Sequence, residues 1–161
     1  MIRKKIEEKE NNSSKKVEEH NNVEKKKEIE DILNHYFNEL TTKIIGEPFA
    51  IVLNNNEDGF PIKIIGMNGK PGTGIKKAMI TCFDLAHIDL IIEKNYHMPR
   101  FEIHDKLENI DLKELRNIVE QTRNFKGQYV FPILKDRISE LGIKPEEIVL
   151  RLSNEEKFFL I

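Results

Sequence analysis

The sequence predicts an α/β layered domain entered by a long, highly charged helix. Three observations carry that expectation. Residues 1–31 hold nine Lys/Arg and nine Asp/Glu against only six apolar residues and no aromatic. Beyond residue 46, short β-type runs alternate with runs of helical period, the pattern of an α/β fold. Between a strand and a helix lies a loop, Gly66-Met67-Asn68-Gly69-Lys70-Pro71-Gly72-Thr73-Gly74, that holds four of the chain's eight glycines.

The elements follow in order. Residues 2–22 are polar all round and read as a solvated helix or disorder, with Asn11-Asn12-Ser13-Ser14 as a break. From Val23 the apolar residues Ile29, Ile32, Leu33, Tyr36, Phe37, Leu40 and Ile44 recur at helical spacing. That predicts a helix over 22–45, stopped by Gly46 with Pro48 beyond. It has the character of a coiled-coil arm entering a globular head, so the expected units are 1–45 and 46–161. Phe49–Leu53 and Phe60–Ile65 read as strands around the turn-rich Asn54–Gly59 segment. A helix over 75–93 turns Ile75, Ala78, Met79, Cys82, Leu85, Ala86 and Leu90 inward. A strand over 100–105 follows, then a helix opened by Asp111 with Glu114 three residues on, the spacing of a capping box. A strand over 128–134, a short helix over 136–141 closed by Gly142, and two strands over 148–152 and 157–161 complete the series.

Bulk composition excludes several classes. The 161 residues suit one domain with an appendage, and a net charge of −2 gives no global attraction to nucleic acid or anionic membrane. A single cysteine, Cys82, rules out an internal disulfide framework and fits a reducing cytoplasm. Its apolar neighbours Ile80 and Phe83 mark it as structural. The charged N-terminus does not read as a secretory signal, and no apolar run approaches a membrane span.

The residues that could carry chemistry come in a defined order. The glycine loop superficially matches a P-loop, but that motif needs Lys directly after its last Gly and then Ser or Thr for Mg²⁺. Ile75 and Lys76 stand there, so the chain has no P-loop of its own. The loop instead suits a γ-phosphate arriving from outside, met by the free N–H groups of a helix start. Gly72, Thr73, Gly74 and Lys77 are the candidate nucleotide contacts. The same loop also reads as a plain connector with a helix cap. Asp105, at the end of its strand, is the candidate Mg²⁺ ligand. His104 beside it reads as a phosphate sensor, a metal ligand or a structural residue. Asp111 is a candidate catalytic residue and equally an ordinary N-cap. Asp84, set in the apolar stretch Ile80–Leu90, must find a partner or face solvent. A metal-dependent hydrolase built on Glu102, His104 and Asp105 is disfavoured, because alternation puts Asp105 on the other strand face from the first two.

Gly74-Ile75-Lys76-Lys77-Ala78-Met79-Ile80-Thr81-Cys82-Phe83-Asp84-Leu85-Ala86, Pro99-Arg100-Phe101-Glu102-Ile103-His104-Asp105 and Gly127-Gln128-Tyr129-Val130 together resemble the YydD-like family. This is a bacterial family found at the C-terminal end of SMC-like coiled-coil ATPases, and the likeness runs from about residue 30 to the end. The resemblance implies the C-terminal lobe of an ABC/SMC-type P-loop ATPase head. In such heads ATP and Mg²⁺ are sandwiched between two heads, and the signature loop of one meets the γ-phosphate held on the other. By position, Thr73 and Gly74 match the signature loop, Asp105 the Walker B aspartate and Asp111 the D-loop aspartate. The implied partners are a P-loop-bearing N-terminal lobe or homologous head, a coiled-coil helix for the arm and, through the assembly, DNA. Two residues depart from the wider pattern. Lys106 stands where Walker B motifs carry a water-polarising Glu, and Glu102 stands where the strand is usually apolar. Lys106 and the missing P-loop motivate one alternative, a non-catalytic coiled-coil interaction module, and the absent N-terminal lobe motivates another, the remnant of a truncated ATPase.

Overall fold

The computed structural model describes residues 2–53, 62–66, 72–105 and 107–153, with the backbone alone for 2–21 and Glu108. Helix α1 spans Ile2–Ile44 and leads into an antiparallel hairpin of β1 (Phe49–Leu53) and β2 (Ile62–Gly66). Helix α2 (Thr73–Glu93), β3 (Phe101–Ile103), α3 (Leu112–Arg123), β4 (Gln128–Val130) and the short α4 (Arg137–Glu140) follow. Strands β3 and β4 pair in parallel, Phe101 opposite Gln128 and Ile103 opposite Val130, with α3 as the crossover between them. The result is a mixed helix and strand architecture, with two small sheets among the described residues.

Helix α1 is continuous where the sequence suggested a break at 11–14. Asn and Ser cost a helix only a few tenths of a kcal/mol each, too little to stop one. Among the described side chains of α1, burial begins at Ile29, and Leu33, Phe37, Thr41 and Ile44 form the inward stripe. The Glu28 carboxylate pairs with Lys94 just past the end of α2, and the helix runs on for about 40 Å on the N-terminal side of that pair. Gly46 ends α1 in the left-handed region at φ 95°, as a C-terminal glycine should. Asn95 does the same for α2 at φ 51°, with the Tyr96 N–H donating to the Ile91 carbonyl at 2.9 Å.

The α1 helix also acts as an edge partner for β1. The Ile51 N–H donates to Asn34 Oδ1 at 2.6 Å, and Asn34 Nδ2 donates back to the Ile51 carbonyl at 2.7 Å. The Phe49 and Leu53 N–H groups donate to Thr41 Oγ1 at 3.1 Å and Glu30 Oε1 at 3.3 Å. Three successive outward N–H groups of the strand are thus satisfied by side chains from one helix face, leaving no open edge there.

Helix α2 packs on α1 on one side and on α3 and β3 elsewhere, and Ala78, Cys82, Leu85, Ala86, Ile88 and Ile91 are all at most 2% exposed. Burial on more than one face explains why Thr81, Ile88 and Ile91 join the inward set beyond the single stripe expected. The expected strand over 148–152 does not form, and Val149, Leu150 and Leu152 are exposed. Having no strand to pair with among the described residues, the segment has no ladder to hold it. Strand β4 likewise stops at Val130, short of the expected 134. The turn over 54–59 and the expected strand over 157–161 lie outside the described residues. Among the described residues no helix is long and apolar enough to cross a membrane.

Candidate nucleotide-facing site

The start of α2 and the start of α3 meet. Gly74, the second residue of α2, packs so close to the α3 entry that a methyl group on it would lie 3.1 Å from the Asn109 carbonyl oxygen. That methyl would lie 3.9 Å from the Asp111 carboxyl carbon. Asp111 occupies the N-cap position of α3 with extended backbone, yet its side chain makes no capping hydrogen bond. The expected capping box with Glu114 is therefore not formed. The carboxylate sits instead where the positive ends of two helices converge, which favours negative charge there. Gly72 and Thr73 are exposed, and the α2 start has no side-chain cap of its own. Its first-turn amides thus face outward where an anion could be met.

Asp105 and His104 separate. Along β3 and its continuation the pattern is exposed Phe101, half-buried Glu102, exposed Ile103, half-buried His104 and exposed Asp105. The His104 ring turns inward, and its Nε2 lies 2.6 Å from Asp84 Oδ2 on α2, with side chains 14% and 19% exposed. Tyr129 of β4 packs on the same ring, centroid to centroid 5.4 Å, and its hydroxyl bonds Thr81 Oγ1 at 3.3 Å. Burial pushes the Tyr129 hydroxyl pKa above its ordinary range. Asp84, noted in sequence only as a charge needing a partner, thus belongs to a polar cluster between α2 and the parallel pair. Lys77, on the second turn of α2, is half-buried.

Asp105 lies with Phe101 and Ile103 on the face of β3 turned away from α2. Phe101 is 50% and Ile103 68% exposed. Fully burying two such side chains is worth roughly 1.5–3 kcal/mol each, and about half of that is unrealised here. A parallel pair with one open apolar face is unusual, since parallel sheets are covered on both sides. One exposed carboxylate fits Mg²⁺ only when other oxygens come from phosphates, water and another protein group, the usual way this ion is bound. Among the described residues no three His, Cys, Asp or Glu side chains gather to hold a metal ion.

Residues 40–161 match the model of a family described as an uncharacterised protein conserved in bacteria, DUF2326. The chain belongs to this family. The DUF2326 region takes in the last turn of α1 and every strand among the described residues, so it contains the α2–α3 junction and the β3 face. No curated protein matches this DUF2326 chain. A solved structure described as "Structural biochemistry of ATP-driven dimerization and DNA stimulated activation of SMC ATPases" is similar at 18% identity and a TM-score of 0.47. That likeness covers 68% of this chain and 71% of the other, and is too distant to establish a shared topology.

Proposed function

We propose that this chain is the C-terminal half of an SMC-like ATPase head that works with a P-loop supplied from outside these 161 residues. The observation that carries the reading is the one-sided parallel pair. Strands β3 and β4 are backed by α2, while Phe101, Ile103 and Asp105 share the uncovered face. A P-loop-bearing lobe seated there would bury the two apolar side chains and bring nucleotide to the carboxylate. Asp105 would then hold Mg²⁺ directly or through water. Thr73 and Gly74 would serve a second nucleotide, on the opposing head, through the amides of the α2 start. In a sandwich of two heads the loop and Asp105 act on different nucleotides, so the reading does not need them side by side. Asp111, packed on Gly74, would set the approach between the two. Helix α1 offers its projecting turns to a partner helix, and contact with DNA would come through the assembled complex.

In this reading the chain alone hydrolyses no ATP. Paired with its P-loop lobe, it should gain Mg²⁺-dependent turnover. Ile103→Glu, which alters an exposed side chain, should leave the isolated chain folded and abolish that pairing. Unimpaired association of Ile103→Glu would place the partner elsewhere.

Lys106, where a water-polarising Glu is usual, favours a second reading as a non-catalytic interaction module. There, the complex would form equally well without nucleotide, and Thr73 and Asp105 would be silent to substitution.

A further inference from the structure

Strand β3 is laid down against its own hydrophobic pattern. Its polar residues Glu102 and His104 face the helix layer, while its apolar residues Phe101 and Ile103 face outward. A two-residue periodicity means that a slip of one position would exchange the faces, burying Phe101 and Ile103 and turning Asp105 inward. The parallel ladder that opposes the slip is short, with three paired positions and two flanking bonds, from the Gln128 N–H to the Arg100 carbonyl at 2.8 Å and from the His104 N–H to the Val130 carbonyl at 2.9 Å.

We infer that the Asp84–His104 pair is the register pin of β3, and that Asp84 is therefore a positioning residue for Asp105. The pair spans two elements, at 2.6 Å, with both side chains mostly withdrawn from water. A hydrogen-bonded polar pair in that setting is directional, which apolar contact is not, so it selects one register among alternatives. Tyr129, on the neighbouring strand, buttresses the imidazole and is itself tied to Thr81 of α2. Asp84 and Thr81 lie on adjacent turns of α2, so both ties draw the sheet onto one helix face. With His104 held inward, Asp105 has to point outward. The significance of that aim rests on the proposed role of Asp105, whereas the pin itself does not.

Thiol labelling of the full chain tests the pin without nucleotide or partner. Cys82, the chain's one cysteine, is fully buried and serves as an unreactive background. Asp105→Cys and Glu102→Cys are each labelled with a maleimide, in the native background and together with Asp84→Leu/His104→Leu. In the native background Asp105→Cys should react at least ~10 times faster than Glu102→Cys, following their burial difference. In the pinless background the ratio should fall towards one or invert. The exchange Asp84→Asn/His104→Gln keeps a hydrogen bond without charge and should restore the ratio. A ratio unchanged in a folded Asp84→Leu/His104→Leu chain overturns the inference. If that chain does not fold, as judged by circular dichroism, the single Asp84→Ala variant decides by the same ratio.

Discussion

His104 Nε2 and Asp84 Oδ2 lie 2.6 Å apart across 20 residues of sequence, joining β3 to α2 inside the head. His104 therefore belongs to the interior of the fold and not to the surface that carries Asp105. A hydrogen bond to a charged group contributes about 1.5–3 kcal/mol, so His104→Ala should lower unfolding free energy by roughly that amount. Urea titration followed by circular dichroism checks it. A cost near zero would mean the pair is solvated and idle.

Gly72 and Gly74 should behave oppositely despite being two residues apart. Space around Gly72 is open, so Gly72→Ala should alter stability by less than about 0.5 kcal/mol. Gly74→Val would push on the Asn109 backbone and should cost about 1–3 kcal/mol, the usual price of overpacking. Thermal melts of the two variants distinguish them. Equal effects would contradict the close contact between the α2 and α3 starts.

Cys82 is fully buried, and burial pushes its thiol pKa up to about 12. The reactive thiolate is scarce at neutral pH and out of reach. Labelling with a disulfide reagent at pH 8 should therefore proceed only as fast as the protein opens, and become immediate in urea. Prompt labelling of folded protein would refute the burial.

Glu147 links stability to acid. Its carboxylate accepts from Arg123 Nε at 2.9 Å and from the Lys144 N–H at 2.8 Å. Those bonds, the Arg123 one foremost, hold its pKa at about 2, against 4.5 without them. A depressed carboxylate pKa adds stability that is complete above the unfolded value and fades as pH falls towards the folded one. Wild type should thus exceed Glu147→Gln in urea midpoint at pH 7 and converge with it near pH 2. A constant difference across that window would remove Glu147 from the acid response.

Much of the fold was legible because it rests on local signals. The Gly46 stop, the bounds of β1 and the short helix closed by Gly142 follow from backbone conformations that few residues tolerate, and the glycines at 46 and 142 do have positive φ. What sequence left dark was long-range. Asn34 and Thr41 carry no signal in the sequence, yet they satisfy the backbone of β1. Asn117 gave no sign that its Nδ2 would donate to the Ile44 carbonyl at 2.9 Å and close the end of α1. At the site, alternation along β3 placed Asp105 opposite Glu102 and His104, as the exposures agree. The signal for Asp84 was present, a charge in an apolar run, but its partner could only be found in three dimensions. Val149, Leu150 and Leu152 show the converse. Their apolar, β-prone sequence suggested a strand, and a strand needs a neighbour that the described residues do not offer.

Turnover of Mg²⁺-ATP by the chain reconstituted with the proposed P-loop-bearing lobe is the most direct test of the whole account, run with native chain and with Asp105→Asn. The expected result is turnover that needs both components and falls at least ~100-fold in Asp105→Asn, the scale of losing an electrostatic contact to the transition state. Turnover by the Asp105→Asn complex at the native rate would contradict it.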